Sequence, residues 1–183
     1  MLLTVNEAQQ IDGKLSSFDI LALEKAIIKE TNNHFRLSDS HNPITAIDRD
    51  GTIYITGNNF IQVGDTVEVS DVEYLSSIYH VTAVGEDYVK VSTKQPLRGS
   101  MGDLNGKLYI VSFPYEIQKG AGSILKYLKS ASTGTEGGAI RAKSVGRVRY
   151  EYATDATGTQ AHIYGAPAHL WGFLEPYRRL RWS

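Results

Sequence analysis

Cysteine is missing from the 183-residue sequence. Its absence excludes disulfide bonds, thiolate nucleophiles and cysteine-ligated zinc sites, and it fits a reducing compartment. Apolar runs long enough to span a membrane are missing as well, and the first ten residues, MLLTVNEAQQ, are too polar for a signal peptide. We therefore expect a protein that has no membrane partner and that is made and kept in a cytoplasm.

Signatures of catalysis and of metal binding are also scarce. The sequence contains neither a G-x-S-x-G nucleophile turn nor a G-x-x-x-x-G-K-[ST] phosphate loop. Asp48 and Asp50 lie beside Gly51, where a turn explains them better than a pair of catalytic carboxylates. No two histidines have the helical i, i+4 spacing of a metal site; the five are His34, His41, His80, His162 and His169. We therefore expect no enzymatic activity, no cofactor and no metal ion.

The charge that is present is distributed unevenly along the chain. The net charge is −1 overall, and it divides into −1 for residues 1–37, −5 for residues 38–113 and +5 for residues 114–183. Such asymmetry indicates that the middle and C-terminal segments have different surroundings. The contents of 42% hydrophobic and 21% charged residues are typical of a soluble globular chain, which at this length folds without cross-links.

Two helices are predicted at the N-terminus. Thr4 and Glu7 have the spacing of a capping box, which predicts a short helix over residues 5–11. Ser16 and Ser17 then open a longer helix in FDILALEKAIIKETNNHF. Its apolar face repeats at steps of three and four residues, at Ile20, Leu23, Ile27 and Thr31.

The hydrophobic period changes to two between Pro43 and Phe113. Five short runs are rich in β-branched and aromatic residues: TIYITG, DTVEVSD, IYHVTAV, YVKVST and KLYIVSF. Turn residues such as Asp50-Gly51 and Asn105-Gly106 separate them. Five strands in about 70 residues favour a small closed or nearly closed barrel, because closure removes exposed sheet edges.

Helical spacing returns after Pro114, with an apolar face at Ile117, Ala121, Ile124 and Leu128. Gly120 and Gly122 each weaken such a helix by about 1 kcal/mol relative to alanine, so we expect another backbone to approach closely there. A flexible loop, SASTGTEGG, and a strand pair within residues 138–154 follow. A last helix is predicted from Pro167, with a bent end at Pro176 and a stripe at Leu170, Phe173, Leu174 and Tyr177.

These elements together predict an α+β protein. A small α-helical bundle, formed by residues 1–42 and 114–183, carries an inserted five-stranded β-barrel-like module, residues 43–113, and ends in a β-hairpin and a helix. The acidic segment coincides with the inserted barrel.

Two basic segments stand out in the C-terminal third. The strand pair in GAIRAKSVGRVRYEYAT has few acids and four bases, Arg141, Lys143, Arg147 and Arg149. Its basic face suits water, a nucleic acid or a protein partner. The segment EPYRRLRWS interleaves three arginines with Tyr177, Leu180 and Trp182, and tyrosine, tryptophan and arginine are the residues enriched at interface hot spots.

Nucleic-acid binding is the alternative that this charge distribution raises. Small barrels bind single strands through aromatic side chains on basic faces. Here the barrel is acidic and the bases lie in a different module. A nucleic-acid-binding module with a small β-barrel is therefore the second interpretation, after docking onto a protein.

In the order of its motifs, the chain resembles the head–tail connectors, also called adaptor or head-completion proteins, of long-tailed double-stranded DNA bacteriophages. Four features carry the resemblance: LTVNEAQQI followed by FDILALEKAIIKET; the helix after the insert with its Gly/Ser/Thr loop; IRAKSVGRVRYEY; and FLEPYRRLRW. Residues 1–40 and 114–183 are covered. The barrel lies outside the minimal family, although related members carry a β insertion here. Lys143 departs from the family pattern, which more often has an acid at this position.

The resemblance implies a structural virion protein in the neck, at the head–tail interface, made in the host bacterial cytoplasm. Connectors of this family form a ring, implied here to hold about twelve copies, that docks beneath the portal protein and presents a surface to a stopper or tail-completion protein. The ring extends the channel for double-stranded DNA, which passes without sequence-specific binding. Portal binding is implied for the C-terminal tail, which comprises Pro176, Tyr177, Arg178, Arg179, Leu180, Arg181 and Trp182. The basic hairpin, with Arg141, Lys143, Arg147 and Arg149, is expected to face the next subunit or the ring below.

Overall fold

The computed structural model of the chain describes residues 1–57, 60–73, 75–101, 105–132, 142–145, 148–151 and 162–180. Over these residues the protein is α+β, with four helices and a closed six-stranded antiparallel β-barrel. The predicted α+β class is confirmed, whereas the predicted barrel of five strands is wrong by one strand. None of the described helices is long and apolar enough to cross a bilayer.

Both N-terminal helices begin at capping boxes. Helix α1 spans Val5–Ile11 and helix α2 spans Ser17–Thr31. The backbone N–H of Glu7 donates to Thr4 Oγ1 over 3.2 Å, and the N–H of Thr4 donates back to the Glu7 carboxylate over 2.8 Å. The predicted apolar face of α2 is confirmed, since its four residues are fully buried: Ile20, Leu23, Ile27 and Thr31. The helix ends where Asn32 takes a left-handed conformation, with φ of 49°.

The barrel strands follow α2. They are β1 (Asn42–Ile47), β2 (Thr52–Ile55), β3 (Thr66–Ser70), β4 (Ser77–Val84), β5 (Tyr88–Val91) and β7 (Lys107–Val111), and a two-residue strand, β6 (Ser100–Met101), pairs beside the barrel with β1. Around the barrel the order is β1-β2-β5-β4-β3-β7, and β7 pairs with β1 to close the ring of strands.

Strand β1 is the one that the sequence pattern missed. Pro43 looks like a boundary, because proline has no N–H for a strand ladder. In the structure Pro43 is the second residue of the strand, paired with Lys107 of β7. The strand then shifts register between Ile44 and Ala46 and pairs with β2. This irregularity lets one strand serve two neighbours, which is how the barrel closes.

Helix α3 spans Tyr115–Ser132 and returns the chain to the helices. Three of its four predicted core positions are fully buried: Ile117, Ala121 and Ile124. Gly120 is a point of close approach, but to a side chain: a Cβ there would lie 2.5 Å from the ring of Phe173. At Gly122 the expectation of close approach is wrong, since a Cβ would meet nothing nearer than Ile11 Cδ1, at 3.9 Å.

The C-terminal helix, Ala168–Tyr177, is a 3₁₀ helix that begins directly after Pro167. The predicted α-helical stripe is therefore wrong in part. With three residues per turn, Trp171 and Leu174 occupy the buried side, while Leu170 and Phe173 are half-buried. Pro176 lies in the last turn, and the chain leaves the helix at Arg178 in an extended conformation.

Two small hairpins lie between α3 and this last helix. Strands β8 (Ala142–Val145) and β9 (Val148–Glu151) pair antiparallel, so the predicted basic hairpin is present. Strands β10 (His162–Ile163) and β11 (Ala166–Pro167) form the second pair.

The buried apolar residues form two clusters. One lies among the helices and includes Ile20, Ile117 and Trp171, and the other fills the barrel and includes Ile53 and Val67. The helical cluster also contains three residues from the barrel segment and its exit, namely Ile78, Val111 and Phe113. The outside of the barrel is thus one wall of the helical core.

Candidate interaction surfaces

A buried polar joint connects the barrel to the helices. The Glu24 carboxylate of α2 has no exposed surface, and it accepts hydrogen bonds from the Leu2 backbone N–H at 2.6 Å and from Thr66 Oγ1 at 3.0 Å. His80 Nε2 of β4 lies 2.8 Å from the other carboxylate oxygen. One side chain therefore ties the N-terminus, α2, β3 and β4 together. The sequence analysis did not single out Glu24, although its position four residues after Ile20 and three before Ile27 places it on the apolar face of α2.

A second polar joint lies at the barrel surface. The Arg36 guanidinium donates two hydrogen bonds to the Glu68 carboxylate, at 2.8 and 3.0 Å, and His34 Nδ1 lies 2.9 Å from the same carboxylate. Arg36 also lies over the ring of Tyr109, 3.8 Å from its centroid. The hydrogen bonds to Glu68 raise the pKa of Arg36, so the guanidinium keeps its positive charge.

The predicted portal-binding tail divides into a packed part and an exposed part. Tyr177 is half-buried: its hydroxyl donates to Glu116 of α3 over 3.2 Å, and its ring lies 6.2 Å from the ring of Phe35. The backbone N–H of Arg179 donates to the carbonyl of Thr31 over 2.8 Å. The side chains of Pro176, Arg178, Arg179 and Leu180 are exposed, and Arg181 and Trp182 lie outside the described residues.

The predicted basic hairpin is described only along its two strands. Lys143 of β8 pairs with Tyr150, and Arg149 of β9 pairs with Ser144. The two bases are therefore not cross-strand partners of each other. Arg141 and Arg147 lie outside the described residues.

A cavity of about 540 Å³ lies between the start of α2 and the end of the β4–β5 ribbon. Its apolar walls include Phe18, Leu21, Tyr79 and Leu97, and its polar groups include Lys25, Ser92 and Lys94. We call it the lysine pocket. None of the described residues that line it is a carboxylate. Sequence periodicity missed it, since its residues come from a helix face, a strand and a loop that meet only in the fold.

Each lysine of this pocket lies over an aromatic ring. Lys94 Nζ is 5.0 Å from the centroid of Phe18, and Lys25 Nζ is 6.0 Å from the centroid of Tyr79. The Lys25 side chain remains exposed at the mouth, but desolvation by the surrounding protein lowers the pKa of its amine. The hydroxyl of Ser92 is buried and has no hydrogen-bond partner among the described residues.

A second basic groove runs between α1 and α3. It is lined by Lys119, Lys126 and Lys129 together with Tyr115, whose side chain is exposed. Glu7 lies in the same groove, and Lys129 donates to the carbonyl of Ile11 over 2.6 Å. Lys129 therefore has an internal partner in this groove.

Acidic side chains lie at two turns of the barrel. In the β1–β2 turn, Asp50 is 2.8 Å from Lys90, whose hydrogen bond lowers the pKa of that carboxyl to about 2. In the β4–β5 turn, Glu86 and Asp87 are both exposed, and neither side chain has an ion pair among the described residues. We call residues 85–87 the acidic turn.

No group of three or more His, Asp or Glu side chains that could hold a metal ion occurs in the described part of the chain. No protein-family model matches the sequence, and comparison with curated proteins found no relative. The arrangement of surfaces is thus the basis on which a function can be argued.

Proposed function

We propose that the chain is a head–tail connector of a long-tailed double-stranded DNA phage, a structural protein that docks as a ring under the portal. Its ring extends the DNA channel and offers the attachment surface for a stopper or tail-completion protein. Double-stranded DNA passes through without sequence-specific binding. No bond is made or broken in this role.

The main support for the proposal is that the helical segments that carry the resemblance pack together in one hydrophobic cluster. LTVNEAQQI forms α1, FDILALEKAIIKET forms α2, the helix after the insert is α3, and FLEPYRRLRW begins in the C-terminal 3₁₀ helix. These four helices contribute to one hydrophobic cluster, with examples in Ala8, Ile20, Ile124 and Leu174, although 166 sequence positions separate the first of these residues from the last. The remaining resembling segment, IRAKSVGRVRYEY, lies only partly within the described residues. The segment without resemblance has its own apolar cluster inside the barrel.

The chain geometry supports an assembly role in a second way. The barrel is inserted between α2 and α3, and two polar joints, at Glu24 and at Glu68, hold it against the helices. A module fixed in this manner keeps one orientation relative to the helices. Fixed orientation is what a repeating ring contact requires, because each protomer must present the same two surfaces.

The exposed end of the tail supplies the portal-docking surface. Arg178, Arg179 and Leu180 follow the packed Tyr177, and their side chains are exposed. Their mixture of cationic and apolar groups fits a portal groove that has carboxylates at its rim. In this proposal Tyr177 positions the tail through Glu116, and the residues after it make the contact.

The experiment that tests the proposal is the mass of the purified chain in solution over a range of concentrations, alone and after mixing with portal rings of the same phage. A ring of about a dozen copies, or a monomer that assembles on the portal, is the expected result. A monomer that ignores portal rings but shifts with DNA, with a steep dependence on salt, would favour the nucleic-acid module instead.

A further inference from the structure

We infer that neighbouring copies of the chain contact each other head to tail, with the acidic turn of one copy seated in the lysine pocket of the next. The inference rests on the proposed ring and names the contact that builds it. It commits to one occupant, a second copy of this chain.

The lysine pocket contains two cationic side chains and a hydroxyl that can bind an anion. Lys25 and Lys94 both line it, none of the described residues that line it is a carboxylate, and Lys25 lies over the ring of Tyr79. A cation that is partly withdrawn from water is costly unless an anion lies near it. The unpartnered hydroxyl of Ser92 is a hydrogen-bond donor in the same cavity. These groups fit a carboxylate, and the walls formed by Phe18 and Leu97 fit an apolar neighbour of that carboxylate.

One acid of the same copy acts on the pocket. Asp19 attracts Lys94 electrostatically, but its carboxylate already accepts from the hydroxyl of Ser16 over 2.6 Å and is not part of the pocket lining. The two lysines outnumber this single acid, so the pocket keeps a positive charge that favours a further carboxylate from a second copy.

The acidic turn supplies the matching chemistry. Glu86 and Asp87 are adjacent, exposed and without ion pairs among the described residues, and Tyr88, next along the chain, has an aromatic ring that is 36% exposed. Two carboxylates beside an aromatic ring complement two lysines above an apolar wall. Electrostatic complementarity of this kind fixes the register of an interface and speeds its formation.

The position of the two surfaces makes the contact a head-to-tail one. The acidic turn joins β4 to β5, and Ser92 and Lys94 follow the other end of β5. At about 3.3 Å per residue, Asp87 and Ser92 lie about 17 Å apart along the strand, so the surfaces occupy opposite ends of one ribbon. A contact between two different patches of identical chains is heterologous, and repetition of it gives a ring when the rotation between neighbours closes.

The lack of cysteine gives this contact a direct test. Asp87→Cys and Lys94→Cys are made singly and together in the full chain, which has no other thiol. Under mild oxidation the two single variants should form a covalent dimer when mixed, and the double variant should form a ladder of covalent oligomers. Asp87→Cys mixed with Lys126→Cys, a thiol in the α1–α3 groove, is the matched control and should give no dimer above background.

Charge exchange tests the same contact without cross-linking. Lys25→Glu should weaken self-association at least tenfold, measured by sedimentation, and adding Asp87→Lys to it should restore most of the affinity. Lys126→Glu is the matched control and should leave association unchanged. Thermal unfolding of each variant verifies that it is folded.

The outcomes separate this contact from the proposed function. Rings or portal-bound assemblies that form without the Asp87–Lys94 cross-link overturn the inference and leave the connector proposal standing. Cross-linked ladders that do not bind portal rings support the contact and count against the connector. A chain that is monomeric at every concentration, and also in the presence of portal rings, overturns the contact. The contact is also overturned if Lys25→Glu loses DNA binding while its self-association is unchanged.

Discussion

At the scale of single residues, the least replaceable side chain is Glu24. It is fully buried and lies within hydrogen-bond distance of three polar groups from separate parts of the chain, at Leu2, Thr66 and His80. A buried carboxylate is tolerated only when it is surrounded by hydrogen bonds in this way. Its removal therefore leaves several buried polar groups without partners at once.

We expect Glu24→Ala to lower the free energy of unfolding by about 3 kcal/mol, because breaking one partner of a buried polar cluster costs about 3–5 kcal/mol. Urea or guanidinium titration measures the change. Glu30→Ala, on the same helix but half-buried, is the control and should change stability by less than about 0.5 kcal/mol. If the two substitutions lower the free energy of unfolding equally, the buried hydrogen bonds of Glu24 do not contribute to stability.

Asp50 allows a prediction about pH. The hydrogen bonds from Lys90 and Thr52 lower its pKa to about 2, below the ordinary value for aspartate. A lowered pKa means that the folded state holds the proton less tightly than the unfolded state. The resulting stabilisation is present at neutral pH and is lost as the pH falls through the range from about 4 to about 2.

Carbon-13 NMR of the side-chain carboxyl should follow the Asp50 titration to a midpoint near pH 2. Lys90→Ala should raise that midpoint, because Lys90 is the largest cause of the shift, while Lys94→Ala should leave it in place. A wild-type midpoint at the ordinary aspartate value of about 4 would contradict the ion pair.

At the scale of elements, α3 and the C-terminal 3₁₀ helix fit together through one glycine. The ring of Phe173 occupies the space where a side chain at Gly120 would stand, at 2.5 Å from the Cβ position. Gly122, two residues later on the same helix, has no such neighbour. Each glycine lowers the intrinsic stability of the helix by the same amount relative to alanine. The difference in stability between the two Gly→Ala variants therefore measures the effect of packing alone.

We expect Gly120→Ala to destabilise the protein by about 1–2 kcal/mol, since overpacking at a tight contact costs about 1–3 kcal/mol and exceeds the gain in helix propensity. Gly122→Ala should stabilise it by about 0.5–1 kcal/mol, because that gain meets no clash. Thermal unfolding followed by circular dichroism compares the two. Stabilisation by both substitutions would mean that Phe173 moves aside without cost.

At the scale of the whole molecule, the C-terminal tail contains residues that stabilise the fold and residues that the proposed function assigns to portal docking. Tyr177 and the backbone of Arg179 bind the helical body, whereas the side chains of Arg178, Arg179 and Leu180 face solvent. A deletion of residues 176–183 would remove both parts at once. Loss of head joining in that variant would not distinguish a missing anchor from a damaged core.

A chain that ends at Arg179 separates the two roles. It keeps the hydrogen bonds of Tyr177 and Arg179, so its unfolding free energy should stay within about 0.5 kcal/mol of the full chain, while its binding to portal rings should be lost. A chain that ends at Glu175 should be less stable by about 2 kcal/mol, because the half-buried Tyr177 is gone. Portal binding by the chain that ends at Arg179 would assign the contact to residues other than the last four.

The sequence by itself determined the local elements whose signals are local. The capping box at Thr4, the serines that open α2, the three- and four-residue repeat of α2, and the two-residue repeat of five strands were all sufficient to locate those elements. Each depends on hydrogen bonds or on a hydrophobic period within a few residues, so no distant part of the chain is needed to recognise it.

Only the tertiary structure decided the features that depend on residues far apart in the sequence, namely strand pairing, burial and polar contacts. Strand β1 forms despite Pro43 because two other strands supply its hydrogen bonds, and Trp171 is buried because the last helix has three residues per turn rather than 3.6. The hydrogen-bond partners of Glu24 could not be predicted, because they lie 22 to 56 positions away in the sequence. The lysine pocket could not be predicted either, because its residues come from three separate elements. Burial and pairing are properties of surfaces that meet in space, and sequence order does not encode which surfaces meet.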